Sequence, residues 1–213
     1  MKSQSSSRER MVRAAARLMQ TRGYQATGLS DVIEESQAPR GSFYYYFPGG
    51  KEQLVLEAIE HAGGELEQVI RSGFARARDS SEAAECLAEM ARYKLERSNF
   101  RRGCPVALLS LETAAQPGPI SASCVPVFLM VQGLFEEVLR KDGFPEEEAR
   151  ELALYGLVGL EGAFLLGIAF RSSEPMRVYG RQLSAHYAAH RQALDAASTE
   201  ASRAEPSSDP RSR

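Results

Sequence analysis

Nine residues in the first quarter of the chain hold its densest chemistry: Pro39-Arg40-Gly41-Ser42-Phe43-Tyr44-Tyr45-Tyr46-Phe47. Read as a helix, they separate by i, i+4 spacing into stripes. Pro39, Phe43 and Phe47 make an apolar stripe that packs inward. Arg40 with Tyr44, Gly41 with Tyr45, and Ser42 with Tyr46 make the other three. No nucleophile stands beside a base here; what the surface offers is recognition of a nucleic acid. Arg40 can grip a guanine edge bidentately in a major groove, and the rings of Tyr44 and Tyr45 can press on thymine methyls. Gly41 lets the backbone come close to the duplex. The hydroxyls of Ser42 and Tyr46 can reach phosphates. Lys51 opens the next helix, where its ammonium and the helix N-terminus can meet one phosphate together. The competing reading makes the three tyrosines half-buried packing residues. Position favours recognition, because a short helix at 29–36 precedes the segment across a tight turn, as a helix-turn-helix requires.

The elements that must hold this segment are nearly all helical. Met11, Ala14, Ala15, Leu18 and Met19 keep helical spacing, with Ser7 as N-cap and Gly23 as stop. The recognition helix is expected over 39–45, and Pro48-Gly49-Gly50 breaks the chain after it. From Lys51 a longer helix carries Val55, Ile59, Ala62, Leu66, Val69 and Phe74 on one stripe. That stripe outruns the headpiece, so this helix ties head to body. Further helices are predicted over 81–97, 105–115, 121–141, 146–171 and 174–196. They are separated by Gly103, Pro117-Gly118-Pro119, Asp142-Gly143-Phe144-Pro145 and Ser172-Ser173. Pro105 and Pro145 suit first helical turns, and Pro126 either starts or kinks its helix. The expected fold is therefore all-α: a three-helix helix-turn-helix head followed by a helical bundle. The division is an arm at 1–7, a DNA-binding head at 8–61, a body at 62–197 (ligand-binding and dimerising by the family resemblance given below), and a tail at 198–213. Both ends are expected to be disordered, since neither has large apolar side chains beyond Met1.

Charge follows the same division. The formal net charge of −2 splits into +4 over residues 1–51 and −6 over the rest. A basic head on an acidic body points to a polyanionic partner for the head alone. Cys86, Cys104 and Cys124 lack metal or disulfide spacing and fit a reducing cytosol. Leu152–Phe170 approaches membrane-spanning length but holds Glu161 near its centre and four glycines, which favours a buried helix. His186 and His190 share a helix face without a supporting carboxylate cluster, and no phosphate loop, dinucleotide fingerprint or catalytic triad appears. The chain is expected to be no enzyme and to need no cofactor or metal.

Residues 8–61 resemble the DNA-binding head of the TetR family of bacterial transcriptional regulators. The shared features are Gly23-Tyr24 after the first helix, the Gly41–Phe47 pattern and Lys51. The run 38–51 is similar to the LmrA/YxaF-type branch, as is Gly103-Cys104-Pro105-Val106 with Glu112 in the body. Three positions depart from the family pattern. Gly28 stands where a threonine N-cap is common, Gln37 replaces the turn glycine, and Ser36 replaces a small apolar residue. The resemblance implies a nine- or ten-helix homodimer that represses transcription until a small molecule enters the body.

For that molecule the candidate residues are Tyr93, Phe100, Glu112, Phe128, Gln132, Phe135, Glu161 and Phe164, aromatic walls with a few polar groups. Each aromatic also reads as plain core. Glu161 stands out because an acid in an apolar helix needs a partner, either the ligand or an arginine of the same chain. The dimer seam is expected on 146–171, with small residues Gly156, Gly159, Ala163 and Gly167, and on 174–196. Two other function classes compete. An enzyme or carrier with an idle head needs a reactive pair that the body lacks, and an architectural DNA protein needs a stronger basic charge.

Overall fold

The computed structural model describes residues 6–115 and 117–204. Among these lie nine α-helices: α1 (Ser7–Arg22), α2 (Leu29–Ser36), α3 (Phe43–Tyr46), α4 (Gly50–Phe74), α5 (Ser80–Arg97), α6 (Ala107–Thr113), α7 (Pro119–Lys141), α8 (Glu146–Phe170) and α9 (Glu174–Ala204). There is no strand among the described residues. The all-α expectation holds.

Local chemistry explains the ends. The N-cap of α1 is Ser6, not Ser7: Ser6 Oγ accepts the Glu9 N–H while the Glu9 carboxylate accepts the Ser6 N–H, each at 3.2 Å. Gly23 closes the helix at φ 83°. Gly28 caps α2 without a side chain, and the Asp31 carboxylate accepts its N–H at 2.9 Å instead. Gln37 stops α2 in the left-handed region at φ 52°, ψ 32°. That conformation costs a non-glycine residue about 1 kcal/mol. Its neighbour Ser36 is buried but satisfied, since its hydroxyl donates to the Ile33 carbonyl and its own carbonyl accepts from Arg10 Nε.

Four predicted elements change their bounds. The recognition segment is not one helix: Arg40–Ser42 form a 3-10 turn that leads into the four residues of α3. Pro39 stays extended at ψ 129° and exposed, outside the helical turn, so it does not join Phe43 and Phe47 on the inward stripe and the first turn winds from Arg40. A helix this short cannot sustain itself, and Phe43 and Phe47 hold it by their burial. Pro105 lies in the turn before α6, and Pro126 sits inside α7, which already starts at Pro119. Finally, α9 runs through residues 198–204, which were expected to be tail. Alanine, glutamate and arginine sustain a helix without apolar burial. The rest of the expected tail, 205–213, and most of the expected arm, 1–5, lie outside the described residues.

The apolar interior forms two clusters. One belongs to the body and gathers α5, α7, α8 and α9 around Leu95, Leu134, Leu160 and Tyr187. The other belongs to the head and holds Met11, Phe43, Phe47, Leu54 and Ile59. It also contains Val106, Leu109, Ile120, Cys124 and Val127. The head thus completes its core with α6 and the first turns of α7. Helices α7 and α8 are long and apolar enough by composition to cross a membrane; here their inner faces pack into these clusters.

Candidate functional site

Burial sorts the recognition segment. Phe43 and Phe47 are 1% and 0% exposed, while Tyr44 and Tyr45 are 70% and 82% exposed. The two phenylalanine rings pack together at 5.3 Å, with the Arg8 guanidinium 5.5 Å from the Phe47 centroid. Arg40 and Gly41 are exposed, and a methyl placed on Gly41 would meet nothing within 4 Å. Other head arginines are tied down: Arg8 to Glu57, Arg17 to Glu35 and Arg22 to Asp31. Arg40 has no ion pair among the described residues. Ser42 and Tyr46 are half-buried. The Ser42 hydroxyl donates to the Pro39 carbonyl at 2.7 Å, and the Tyr46 ring meets Tyr45 edge-on at 5.1 Å. Lys51 Nζ donates to the Tyr24 carbonyl at 3.2 Å and lies 4.4 Å from that ring's centroid. It therefore also locks the end of the α1–α2 connection to the start of α4.

That connection is held from the other side by the body. The Glu112 carboxylate accepts the Tyr24 N–H at 2.5 Å, and Gln20 Nε2 donates to the Gly103 carbonyl at 2.8 Å. Glu112 thus belongs to the joint between head and body. No sequence signal singled out Gln20.

Behind the joint lies a cavity of about 620 Å³ between α1 of the head and α4, α5 and α8 of the body. Leu66, Ile70, Leu87, Met90, Leu160 and Phe164 supply apolar wall; Lys94, Arg102, Cys104 and Glu161 supply polar groups. Burial pushes the Lys94 ammonium below its ordinary range and Arg102 adds to this, against the opposing pull of Cys104, Glu161 and Glu65. Burial also raises the Glu161 carboxyl, against a hydrogen bond with Cys104 and the Lys94 charge. The Cys104 thiol is pushed up by burial and by Glu161. Such a thiol is a poor nucleophile. Lys94 makes no ion pair within the described residues. Its replacement by methionine is expected to stabilise the free protein by about 1 kcal/mol, because a poorly solvated charge is removed; urea unfolding measures this.

A scan of family models matches residues 11–58 to "Bacterial regulatory proteins, tetR family" and residues 80–182 to "Transcriptional regulator LmrA/YxaF-like, C-terminal domain". The YxaF regulator of Bacillus subtilis is 34% identical over 86% of this chain and 96% of its own length. LmrA of the same organism is 35% identical over 80% of this chain and 90% of its own. The chain belongs to the TetR family. It is a transcriptional regulator with a helix-turn-helix DNA-binding domain, in a family of regulators rather than enzymes. A TetR regulatory protein from Rhodobacter sphaeroides shares the fold, with TM-score 0.77 over 85% of this chain and 99% of its own at 24% identity.

The LmrA/YxaF-like features fall at the joint: Gly103 and Glu112 make its two hydrogen bonds. Of the effector candidates, Glu161 and Phe164 line the cavity and the others do not. Tyr93 is 57% exposed, its ring 5.7 Å from the Arg97 guanidinium. It neighbours Lys94 in sequence, but one residue turns a helix by about 100° and carries its side chain outward. Phe128 packs half-buried between the two apolar clusters, and Gln132 is half-buried away from the cavity. Phe135 is buried against Phe74, and Phe100 packs on the body core. The sequence did carry a signal for Lys94. It continues the inward stripe of Leu87 and Ala91 in α5, and a lysine on an apolar stripe marks a cavity or a pair.

Proposed function

We propose that this regulator is a repressor that binds a pseudo-palindromic operator as a homodimer and is released when a small molecule fills the cavity. The observation that carries the DNA reading is the split of one short segment into buried Phe43 and Phe47 and outward Arg40, Gly41, Tyr44 and Tyr45. Arg40 reads a base edge, the two exposed tyrosines contact thymine methyls or phosphates, and Ser42, Tyr46 and Lys51 fix the backbone. We take 8–61 as the DNA-binding head and 62–197 as the ligand-binding and dimerisation body, with α4 shared between them. The protein acts in the cytoplasm, where its DNA is.

The dimer seam lies on α8 and α9, but not on the small residues expected there, since Gly156, Gly159 and Gly167 face Tyr187, Tyr179 and Leu95 of the same chain and Ala163 is buried. Leu154, Tyr155, Val158, Leu165 and Leu166 are exposed on one side of α8, and Val178 is exposed on α9. Contiguous apolar surface of this kind marks an interface. Release follows from the joint. A molecule in the cavity touches α1, α4 and the 102–105 segment together, and the Gly103 and Glu112 bonds pass their displacement to the end of α1. The two heads then favour another spacing, which lowers affinity for half-sites in successive major grooves.

Fluorescence anisotropy on a selected operator and on single-base variants tests the readout. Arg40→Ala is expected to cost about 1–3 kcal/mol on the preferred site and to relax preference at one position per half-site. Lys51→Ala is expected to weaken all sequences alike. Equal loss on every sequence from Arg40→Ala would remove that residue from base reading.

A further inference from the structure

The cavity's polar end has an unbalanced chemistry that narrows what fills it. Lys94 from α5 and Arg102 from the following segment both reach it, and neither is held by an ion pair within the described residues. Two acids also line the chamber, Glu161 and Glu65, and the charge of each acts on Lys94. Glu161 hydrogen-bonds with Cys104, and Glu65 lies 3.4 Å from His61 Nε2 near the outer rim. The remaining lining cations belong to α1. Among these Arg17 pairs with Glu35, Arg13 lies 3.7 Å from Glu9, and Arg10 bonds to Ser36 and Ser7. With five cations (Arg10, Arg13, Arg17, Lys94 and Arg102) against two acids in its lining, the chamber favours an anion beside Lys94 and Arg102, which have no ion pair within the described residues.

We propose that the effector is an apolar organic anion, of the aromatic carboxylate or sulfonate type, whose charged group sits between Lys94 and Arg102. Its apolar body lies against Leu66, Ile70, Leu87 and Phe164. Burial pushes the Glu161 carboxyl above its ordinary range, which lessens its repulsion of an anion nearby. The anion favours the charged form of Lys94, against the burial that disfavours it. This rests on the reading that the cavity is the effector site.

The test uses two dyes of one skeleton, 8-anilinonaphthalene-1-sulfonate and the uncharged N-phenyl-1-naphthylamine, titrated into the full chain by fluorescence. Lys94→Met is expected to weaken the sulfonate by about tenfold or more while leaving the neutral dye within about twofold. Arg102→Met should act in the same direction. Each dye should displace the other, and Ala91→Trp, which fills the chamber, should remove both. Circular dichroism checks that each variant folds, and dye-on-dye displacement in the unaltered chain needs no variant. Equal effects of Lys94→Met on both dyes, or tighter sulfonate binding in that variant, would overturn the anion assignment alone. Retention of both dyes by folded Ala91→Trp would overturn the cavity as their site, and with it the reading beneath this proposal.

Discussion

Val158→Glu is expected to yield a folded monomer whose operator affinity falls by about a hundredfold or more. Val158 is 63% exposed within one chain, so glutamate there disturbs no packing of the monomer. Its helical content and the burial of Phe43 and Phe47 should survive. In the proposed dimer the same position would lie in the seam with Leu154, Tyr155 and Leu165, where two carboxylates would lose water without gaining a partner. Sedimentation velocity reads the mass and anisotropy reads the binding. The size of the loss follows from valency. A recognition segment of seven residues from Arg40 to Tyr46 spans few base pairs. The second head supplies its share at an effective concentration set by the dimer and not by the solution. A Val158→Glu variant that stays dimeric would move the seam elsewhere.

Gly23→Ala is expected to destabilise the protein by about 2–4 kcal/mol and to leave any remaining folded protein poorly responsive to effector. Gly23 has φ 83°, outside the range an alanine adopts easily. A Cβ there would also strike the Glu112 carboxylate. That side chain can swing away, but only by giving up the Tyr24 N–H, one of the two hydrogen bonds at the head–body joint. The cost thus has two parts, backbone strain and a lost acceptor. A double-variant cycle separates them. With Glu112→Ala in the background the clash disappears, so Gly23→Ala should then cost only the strain, about 1–2 kcal/mol. Urea unfolding of the four proteins gives the coupling energy. Full additivity would mean that Glu112 does not sit against Gly23.

What could be read from sequence was whatever depends on local pattern. Breakers marked most helix ends because proline and glycine act within one or two residues of themselves. The i, i+4 sorting placed Phe43 and Phe47 inside and Tyr44 and Tyr45 outside, as the structure has them, because even a strained helical turn preserves that spacing. Its subdivision was not legible. Three residues of 3-10 turn followed by four of α-helix carry too little sequence to show a period. The continuation of α9 was missed because lack of apolar residues removes packing, not helix propensity. The cavity was the least legible feature. Its walls come from α1, α4, α5 and α8, so no single stretch holds its signature. Glu161 was found because it is anomalous on its own helix. Glu112 was singled out for its polarity but serves a backbone amide of the head, a partner 88 residues away that no spacing rule reaches.

The central claim is that residues 40–46 read DNA in pairs. Selection of binding sites from a pool of random duplexes tests it most directly. The proposed dimeric repressor is expected to enrich an inverted repeat whose half-site centres lie about one helical turn apart or a multiple of it. Under the same conditions Tyr44→Ala/Tyr45→Ala should enrich nothing comparable. Enrichment of a single unrepeated site, or the same repeat recovered by the double variant, would contradict it.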